Sequence, residues 1–143
     1  LTFMNLSGQS VLAIKHFYKI PDTHLLIVHD EMDFPLGKLG FLQKGGAAGH
    51  NGIKSIHKTL GTSTIARLRL GIGRPAPPLK MDQYVLQPFS AEERKELLSI
   101  LDRADEAVMT WITQGLTAAM NLWNGVEYGV DARTDRADES RAC

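Results

Sequence analysis

Three short polar segments of this 143-residue sequence carry side chains that could do chemistry. They span residues 3–8, 29–33 and 49–52. The second segment follows a strand pattern, and the third precedes a helix pattern. In an α/β sheet, functional loops lie beyond the carboxyl ends of the strands. We therefore expect the three polar segments to converge on one site.

Asp30 is the first candidate for a catalytic role. It follows an apolar strand directly, so its carboxylate should emerge at the sheet edge, partly removed from water. Such a carboxylate can hold an imidazole in one tautomer and stabilise its charged form. The alternative is an aspartate that only caps a turn. Asp30 together with His29, Glu31 and Asp33 could also suggest a metal site, but adjacent strand residues alternate faces, so we predict no metal.

The loop before Asn51 is rich in small residues, and the helix that starts there offers unpaired N–H groups to an anion. Asn5 and Asn51 are uncharged donors and acceptors that can bind a carbonyl group or a developing oxyanion. Either of them could instead cap a helix, and His50 taken alone is typical of a loop-packing histidine. The loop has neither a Walker A nor a dinucleotide pattern.

The elements that must position these residues alternate between strands and helices. Strand patterns cover residues 24–30, 38–43 and 65–73, and the first is typical of a strand buried on both faces. Helical patterns begin near residues 7, 51 and 91, and a capping box from Ser90 to Glu93 opens the last of them, which Gly115 interrupts. Val11, Ile14, Phe17 and Tyr18 form the predicted apolar positions of the first helix, and Leu97, Leu98, Leu101, Val108, Trp111 and Ile112 those of the last. This alternation indicates an α/β layer fold.

Charge is distributed unevenly along a chain whose net charge is zero. Residues 1–89 contain ten basic and five acidic side chains, whereas residues 90–143 contain six basic and eleven acidic ones. The basic part can face a polyanion such as a nucleic acid, although two acidic surface helices would give the same imbalance. No apolar run approaches the ~18 residues of a membrane span. The single cysteine, Cys143, fits a reducing compartment such as the cytoplasm.

Taken together, these segments resemble the bacterial-type peptidyl-tRNA hydrolase family. The matching stretches are residues 2–8, 29–35, 49–55 and 67–75, and residues 84–86 and 89–90 look like the family's end-of-sheet segment. The resemblance implies a three-layer α/β/α fold with a mixed, largely parallel central sheet. It places the domain at residues 1–124 and leaves a charged tail at 125–143, which we expect to be disordered.

The resemblance also implies a reaction and a set of site residues. The family cleaves the ester that joins a peptide to the 3′ ribose of tRNA, and we expect a cytoplasmic monomer that needs no metal or organic cofactor. By motif position, Asp30 stabilises the catalytic histidine, and Asn51 binds substrate and helps to hold the water or oxyanion. The further predicted substrate contacts are Phe3 and Asn5 at the terminal nucleotide and peptidyl end, Met4 and His50 in the cleft, and Lys54, Arg69 and Arg74 at phosphates.

The sequence departs from the family pattern in two places. The family's general-base histidine lies in an N-terminal segment that also supplies a central strand, and the chain begins at Leu1, just before the Phe-Met-Asn motif. None of the five histidines occupies the position of that base, so we expect the first strands to be missing and these residues alone to be almost inactive. The loop also has Ala47 and Ala48 where the family usually has Gly and His.

Two other functions remain open from sequence. One is a non-catalytic RNA-binding relative of the hydrolase fold that assists splicing, and the other is an inactive gene fragment. The presence of Asp30, Asn5 and Asn51 favours the enzyme, because RNA binding alone does not require that set.

Overall fold

The computed structural model describes residues 2–74 and 88–125. Within the described residues, the chain forms two compact units. The first is built from Leu1–Val28 and Leu42–Leu68, and the second from His29–Phe41 and Arg69–Cys143. The predicted end-of-sheet residues 84–86, and the predicted tail after residue 125, lie outside the described residues.

The described residues contain the predicted strands and helices. The strands are β1 (Leu26–Glu31), β2 (Leu39–Leu42) and β3 (Ala66–Gly71). The α-helices are α1 (Ser7–Tyr18), α2 (Asn51–Leu60), α3 (Ala91–Gln114) and α4 (Leu116–Trp123), and short 3-10 turns cover Met4–Leu6 and Asp22–His24. No helix in the described part of the chain combines the length and the apolar character needed to cross a membrane.

The three strands form one mixed sheet in the order β1-β3-β2. The backbone N–H of Ile72, just after β3, donates to the carbonyl oxygen of Glu31 at the end of β1 (3.1 Å), so these two strands end together and run parallel. The N–H of Gly71 at the end of β3 donates to the carbonyl oxygen of Lys38, just before β2 (2.8 Å), so β2 and β3 are antiparallel. The predicted α/β class and mixed sheet are confirmed.

Strand β1 is less buried than its apolar sequence predicts. Val28 is 46% exposed, and every other residue of the strand is only partly buried. β1 lies at one edge of the described sheet, so on one side it has no strand neighbour among these residues. The prediction of a strand buried on both faces is therefore wrong for the described residues.

The core of the first unit is the apolar face of α2. Ile53 and Ile56 from this helix are buried together with Ile65, which precedes β3. The partly buried residues packed against this cluster are Val11, Leu25, Ile27, Ala47 and Leu60. Helix α2 therefore turns its isoleucines toward the interior of this unit and leaves Asn51 and Lys54 exposed.

Helix α1 buries much less than its periodicity predicts. Of its four predicted apolar positions, only Val11 packs against the core cluster. Ile14, Phe17 and Tyr18 are exposed by 54%, 79% and 68%, and the two aromatic rings contact each other edge to face with centroids 4.9 Å apart.

In the second unit, α3 begins with the predicted capping box. The Ser90 hydroxyl oxygen accepts the Glu93 N–H (3.1 Å), and the Glu93 carboxylate accepts the Ser90 N–H (2.8 Å). The two reciprocal bonds satisfy backbone donors that the helix itself leaves unpaired. The helix ends at Gln114, and α4 begins after the single residue Gly115.

The predicted packing face of α3 is only partly correct. Leu98, Leu101 and Ile112 are 66%, 48% and 60% exposed. The buried positions of the helix are instead Ile100, Ala104 and Ala107. Two of these three are alanines, whose small side chains add little to an apolar periodicity although they permit close packing.

Candidate functional site

The first group of predicted site residues lies where the turn Met4–Leu6 contacts α2. A Cβ atom built on Gly52 would lie only 2.8 Å from the Sδ atom of Met4 and 3.1 Å from Cε1 of His50. Gly52 is therefore the residue that lets Met4 approach the first turn of α2. Met4 is nevertheless 59% exposed, and the neighbouring Phe3 is 80% exposed.

A contact between two small residues fixes α1 against α2. The backbone N–H of Gly8 donates to the hydroxyl oxygen of Ser55 (2.9 Å). A Cβ on Gly8 would lie 2.4 Å from both the Ser55 carbonyl oxygen and the Thr59 hydroxyl oxygen. One of the N–H groups that the first turn of α1 leaves unpaired is thus satisfied by the neighbouring helix. Both residues belong to the motifs quoted above, but small residues give no periodic signal from which this contact could be predicted.

His50, and not Asn51, caps helix α2. Its Nδ1 atom accepts a hydrogen bond from the backbone N–H of Ile53 (3.3 Å). Because Nδ1 is the acceptor, the proton of the neutral ring is on Nε2. Asn51 is the first residue of the helix, its side chain is exposed, and it makes no hydrogen bond to the described residues. The alternative that Asn51 acts only as a helix cap is therefore wrong.

The alternative that Asn5 acts only as a cap of α1 is also wrong. The N-cap position is Leu6, because the 3-10 turn runs straight into the helix, and no side chain caps it. The Ser7 hydroxyl donates instead to the Met4 carbonyl oxygen (2.7 Å). The side chain of Asn5 is exposed and, like that of Asn51, makes no hydrogen bond to the described residues. Both amides are therefore available to a ligand.

The first unit thus contains six of the nine predicted site residues. These are Phe3, Met4, Asn5, His50, Asn51 and Lys54. The last of them is exposed on the first turn of α2. The arrangement presents two amides, an imidazole and an ammonium group on two segments that contact each other.

The second group of predicted site residues lies where β1 and β3 end. Asp30 is half-buried at the second-last position of β1, directly before the residue that bonds to Ile72. This confirms the predicted position of Asp30 at the end of a strand. Within the described residues, no group of three or more His, Cys, Asp or Glu side chains has an arrangement that could bind a metal ion.

Arg69 packs against an aromatic ring. Its Cζ atom lies 4.4 Å from the centroid of the Phe34 ring, and its Nε–H donates to the Gly40 carbonyl oxygen (3.4 Å). Burial lowers the pKa of the Arg69 guanidinium, and the nearby Glu31 carboxylate opposes that shift. An arginine starts from so high a pKa that it stays charged at neutral pH.

Arg74 forms a salt bridge with Asp33. Both side chains are more than half exposed, at 60% and 52%. An exposed ion pair of this kind contributes about 0–1 kcal/mol, so Arg74 could exchange the Asp33 carboxylate for a phosphate at small cost. The second unit therefore holds the other three predicted residues, and the convergence of Asp30 with Asn51 stays a prediction.

Comparison with known proteins identifies the family. The family model described as peptidyl-tRNA hydrolase matches residues 1–131. The chain belongs to the peptidyl-tRNA hydrolase family. The resemblance drawn from the sequence motifs is thereby confirmed over most of the chain.

Individual peptidyl-tRNA hydrolases are similar over nearly all of this chain. The protein of Gloeobacter violaceus is 47% identical over 128 residues, which cover 90% of this chain and 65% of that protein. A protein of Thermus thermophilus is 46% identical over 130 residues, which cover 91% of this chain and 71% of that protein. The crystal structure of peptidyl-tRNA hydrolase from Acinetobacter baumannii matches with a TM-score of 0.79 at 33% identity. The match covers 89% of this chain and 64% of that protein. The chain thus spans 64–71% of the length of these three hydrolases.

Proposed function

We propose that the protein containing this chain hydrolyses peptidyl-tRNA. Water attacks the carbonyl carbon of the ester between the peptide and the 3′ ribose, and a tetrahedral oxyanion forms. The carbon–oxygen bond to the ribose then breaks, and the 3′ oxygen of tRNA takes up one proton of the water. The released peptide acid loses the other proton to solvent and leaves as a carboxylate. This proposal rests on family membership and on the two asparagine amides that helix capping leaves available.

Asn51 and Asp30 have the central roles in this proposal. The Asn51 amide, at the exposed start of α2, would donate a hydrogen bond to the developing oxyanion. The half-buried carboxylate of Asp30 would stabilise a general-base histidine in its proton-accepting orientation. The remaining contacts of the first unit would bind the terminal nucleotide and the peptide, with Phe3 offering an exposed ring to the adenine base.

The basic residues would bind the tRNA backbone. Lys54 is exposed and makes no ion pair with the described residues, so its ammonium is available to a phosphate. Arg69 and Arg74 lie near the end of β3 with partners of their own, and would add phosphate contacts there. Such contacts position tRNA without reading its sequence. No metal takes part in the proposed reaction, so chelation should leave turnover unchanged.

The first experiment compares Asp30→Asn and Asn51→Ala in the protein encoded by the complete open reading frame. The substrate is an N-blocked aminoacyl-tRNA, and kcat, KM and the Kd for deacylated tRNA are measured separately. Asn51→Ala should lower kcat by about 10²–10³-fold, the usual effect of removing one oxyanion donor. Asp30→Asn should also lower kcat while leaving the Kd for tRNA nearly unchanged. Unchanged turnover in both variants would refute the assigned roles.

We further propose that the 143 residues on their own hydrolyse peptidyl-tRNA weakly or not at all. None of their five histidines occupies the position of the family's general base. Such a base contributes about 10²–10⁴-fold to the rate. The isolated chain and the product of the complete reading frame should therefore differ by at least that factor in kcat/KM, and equal values would contradict this proposal.

A further inference from the structure

Two positively charged side chains contact the same aromatic ring in the second unit. The Arg69 guanidinium carbon lies 4.4 Å from the centroid of Phe34, and the Lys38 Nζ atom lies 4.8 Å from it. The two charges are therefore no more than about 9 Å apart. Contact with the negative face of the ring stabilises each cation. Phe34 thus offsets part of the repulsion that would otherwise separate Lys38 and Arg69.

Glycine residues create the space in which this ring lies. A Cβ on Gly40 would be 2.9 Å from Cε2 of Phe34 and 3.3 Å from Nη2 of Arg69. A Cβ on Gly71 would be 2.9 Å from the Phe34 Cβ. Any larger residue at either position would displace the ring or the guanidinium. The glycines of β2 and β3 therefore fix the position of Phe34 and, through it, the position of Arg69.

The acidic groups nearby neutralise the cations unequally. Asp33 pairs with Arg74, and the Glu31 carboxylate acts on Arg69. Lys38, in contrast, makes no ion pair with any described residue, and the Phe34 ring is its contact. One positive charge of the cluster is therefore left for an anion from outside.

We propose that Phe34 is a positioning residue of a phosphate subsite, in which Lys38 and Arg69 together bind the tRNA backbone. The proposal rests on the proposed function for its ligand, since tRNA supplies the phosphate. It adds Lys38 to the phosphate contacts and gives Phe34 a role that its sequence position does not indicate. A ring that merely fills space under Arg69 is the competing explanation.

The test uses Phe34→Leu, Phe34→Tyr and Lys38→Ala in the protein encoded by the complete open reading frame. Binding of deacylated tRNA is measured over a range of salt concentrations, together with thermal stability. Lys38→Ala should reduce the slope of log Kd against log salt by about 0.7–0.9, the change expected for one lost phosphate contact. The exposed Lys95, in α3, provides the control, because Lys95→Ala removes an equal charge and should leave the slope unchanged.

The aromatic variants separate positioning from space filling. Phe34→Leu keeps an apolar side chain but removes the ring face, and should weaken tRNA binding by about two- to fivefold for each cation that it contacts. It should raise KM more than it lowers kcat, and Phe34→Tyr should restore both values. If Leu and Tyr variants bind tRNA equally well, the ring only fills space, and the proposal is overturned. An unchanged salt slope for Lys38→Ala would overturn it as well, even if the Leu variant failed to fold.

Failure of the subsite and failure of the proposed function give different results. A protein that shows the expected changes in salt slope but does not hydrolyse the N-blocked substrate would support the subsite and refute the hydrolase. A protein that hydrolyses the substrate, and whose variants show an unchanged salt slope, would support the hydrolase and refute the subsite. Adding inorganic phosphate distinguishes the two sources of the anion, because free phosphate at millimolar concentration should compete only if the subsite binds an isolated phosphate group.

Discussion

The Nδ1 atom of His50 accepts the backbone N–H of Ile53, and this hydrogen bond of 3.3 Å begins helix α2. Because the cap is residue 50, the next side chain, Asn51, stands at the first helical position and is not needed to satisfy the helix. The histidine thus performs the structural task that sequence reasoning left open for the asparagine. The Asn51 amide is thereby left available for the chemistry proposed above.

We predict that His50→Ala lowers the free energy of unfolding by about 0.5–1 kcal/mol, at the lower end for a lost cap because the bond is long. His50→Asn should restore the stability, since asparagine is among the strongest capping residues. Urea denaturation of the two variants measures the difference. Equal midpoints for the Ala and Asn variants would show that the bond to Ile53 contributes nothing to stability.

Gly8→Ala should destabilise the protein although alanine normally favours a helix. The added methyl group would lie 2.4 Å from the Ser55 carbonyl oxygen and the Thr59 hydroxyl oxygen, so α1 and α2 must separate. Overpacking of this kind costs about 1–3 kcal/mol. Gly46→Ala is the matched control, because nothing lies within 4 Å of its added Cβ and its stability should change by less than about 0.5 kcal/mol. Similar melting temperatures for the two variants would contradict this reading of the helix contact.

The sequence predicts α2, the capping box and the strands well, and the reason is local. Ile53 and Ile56 recur at helical spacing on a face that is buried, and Ser90 and Glu93 stand at the fixed spacing that a capping box requires. The exposed Phe17 of α1 shows where such reasoning fails. A periodic pattern identifies the apolar side of a helix but does not tell whether another element covers it.

The same limit applies to the site. The motifs identify Asp30, Asn5 and Asn51 because their residue types and their order along the chain suffice. The contact between Phe34 and Arg69 could not be predicted, since the two residues belong to separate segments that only the sheet brings together. Sequence reasoning therefore finds the reactive groups more readily than the residues that position them.

Ala48 has a left-handed backbone conformation, with φ of 46°. This conformation costs a residue with a Cβ about 1–2 kcal/mol, whereas glycine adopts it freely. Glycine relieves this cost but also raises the conformational entropy of the unfolded chain, which offsets part of the gain. We therefore predict that Ala48→Gly raises the free energy of unfolding by about 0.5–1 kcal/mol. Ala47→Gly is the control: Ala47 packs against the core cluster, so this change should lower the stability. A loss of stability in both variants would contradict the strain assigned to Ala48.

His57 should make the stability of the protein depend on pH. Burial lowers its pKa from 6.5, and the positive charge of Arg67 lowers it further. Between the pKa of the folded state and 6.5, the unfolded chain therefore binds more protons than the folded protein. Stability from this group is fully present above pH 6.5 and is lost as the pH falls below it.

His57→Gln should accordingly flatten the dependence of the unfolding free energy on pH below 6.5. The free energy of unfolding is measured by urea denaturation at a series of pH values, and NMR titration of the His57 ring gives its pKa directly. His16→Gln, at an exposed histidine of α1, is the control for the loss of an imidazole. A titration midpoint for His57 above 6.5 would contradict the prediction.

The side chain of Asn124 pairs with the backbone of β2. The Phe41 N–H donates to its Oδ1 (2.6 Å), and its Nδ2 donates to the Phe41 carbonyl oxygen (2.9 Å), so the amide continues the sheet at the edge strand. Phe41 is completely buried, and Asn124→Ala would leave both backbone groups without these partners. We predict a loss of about 1–3 kcal/mol in the free energy of unfolding. Asn121→Ala, at an exposed position of α4, should change it by less than about 0.5 kcal/mol, and an equal loss in both variants would show that the paired bonds do not stabilise β2.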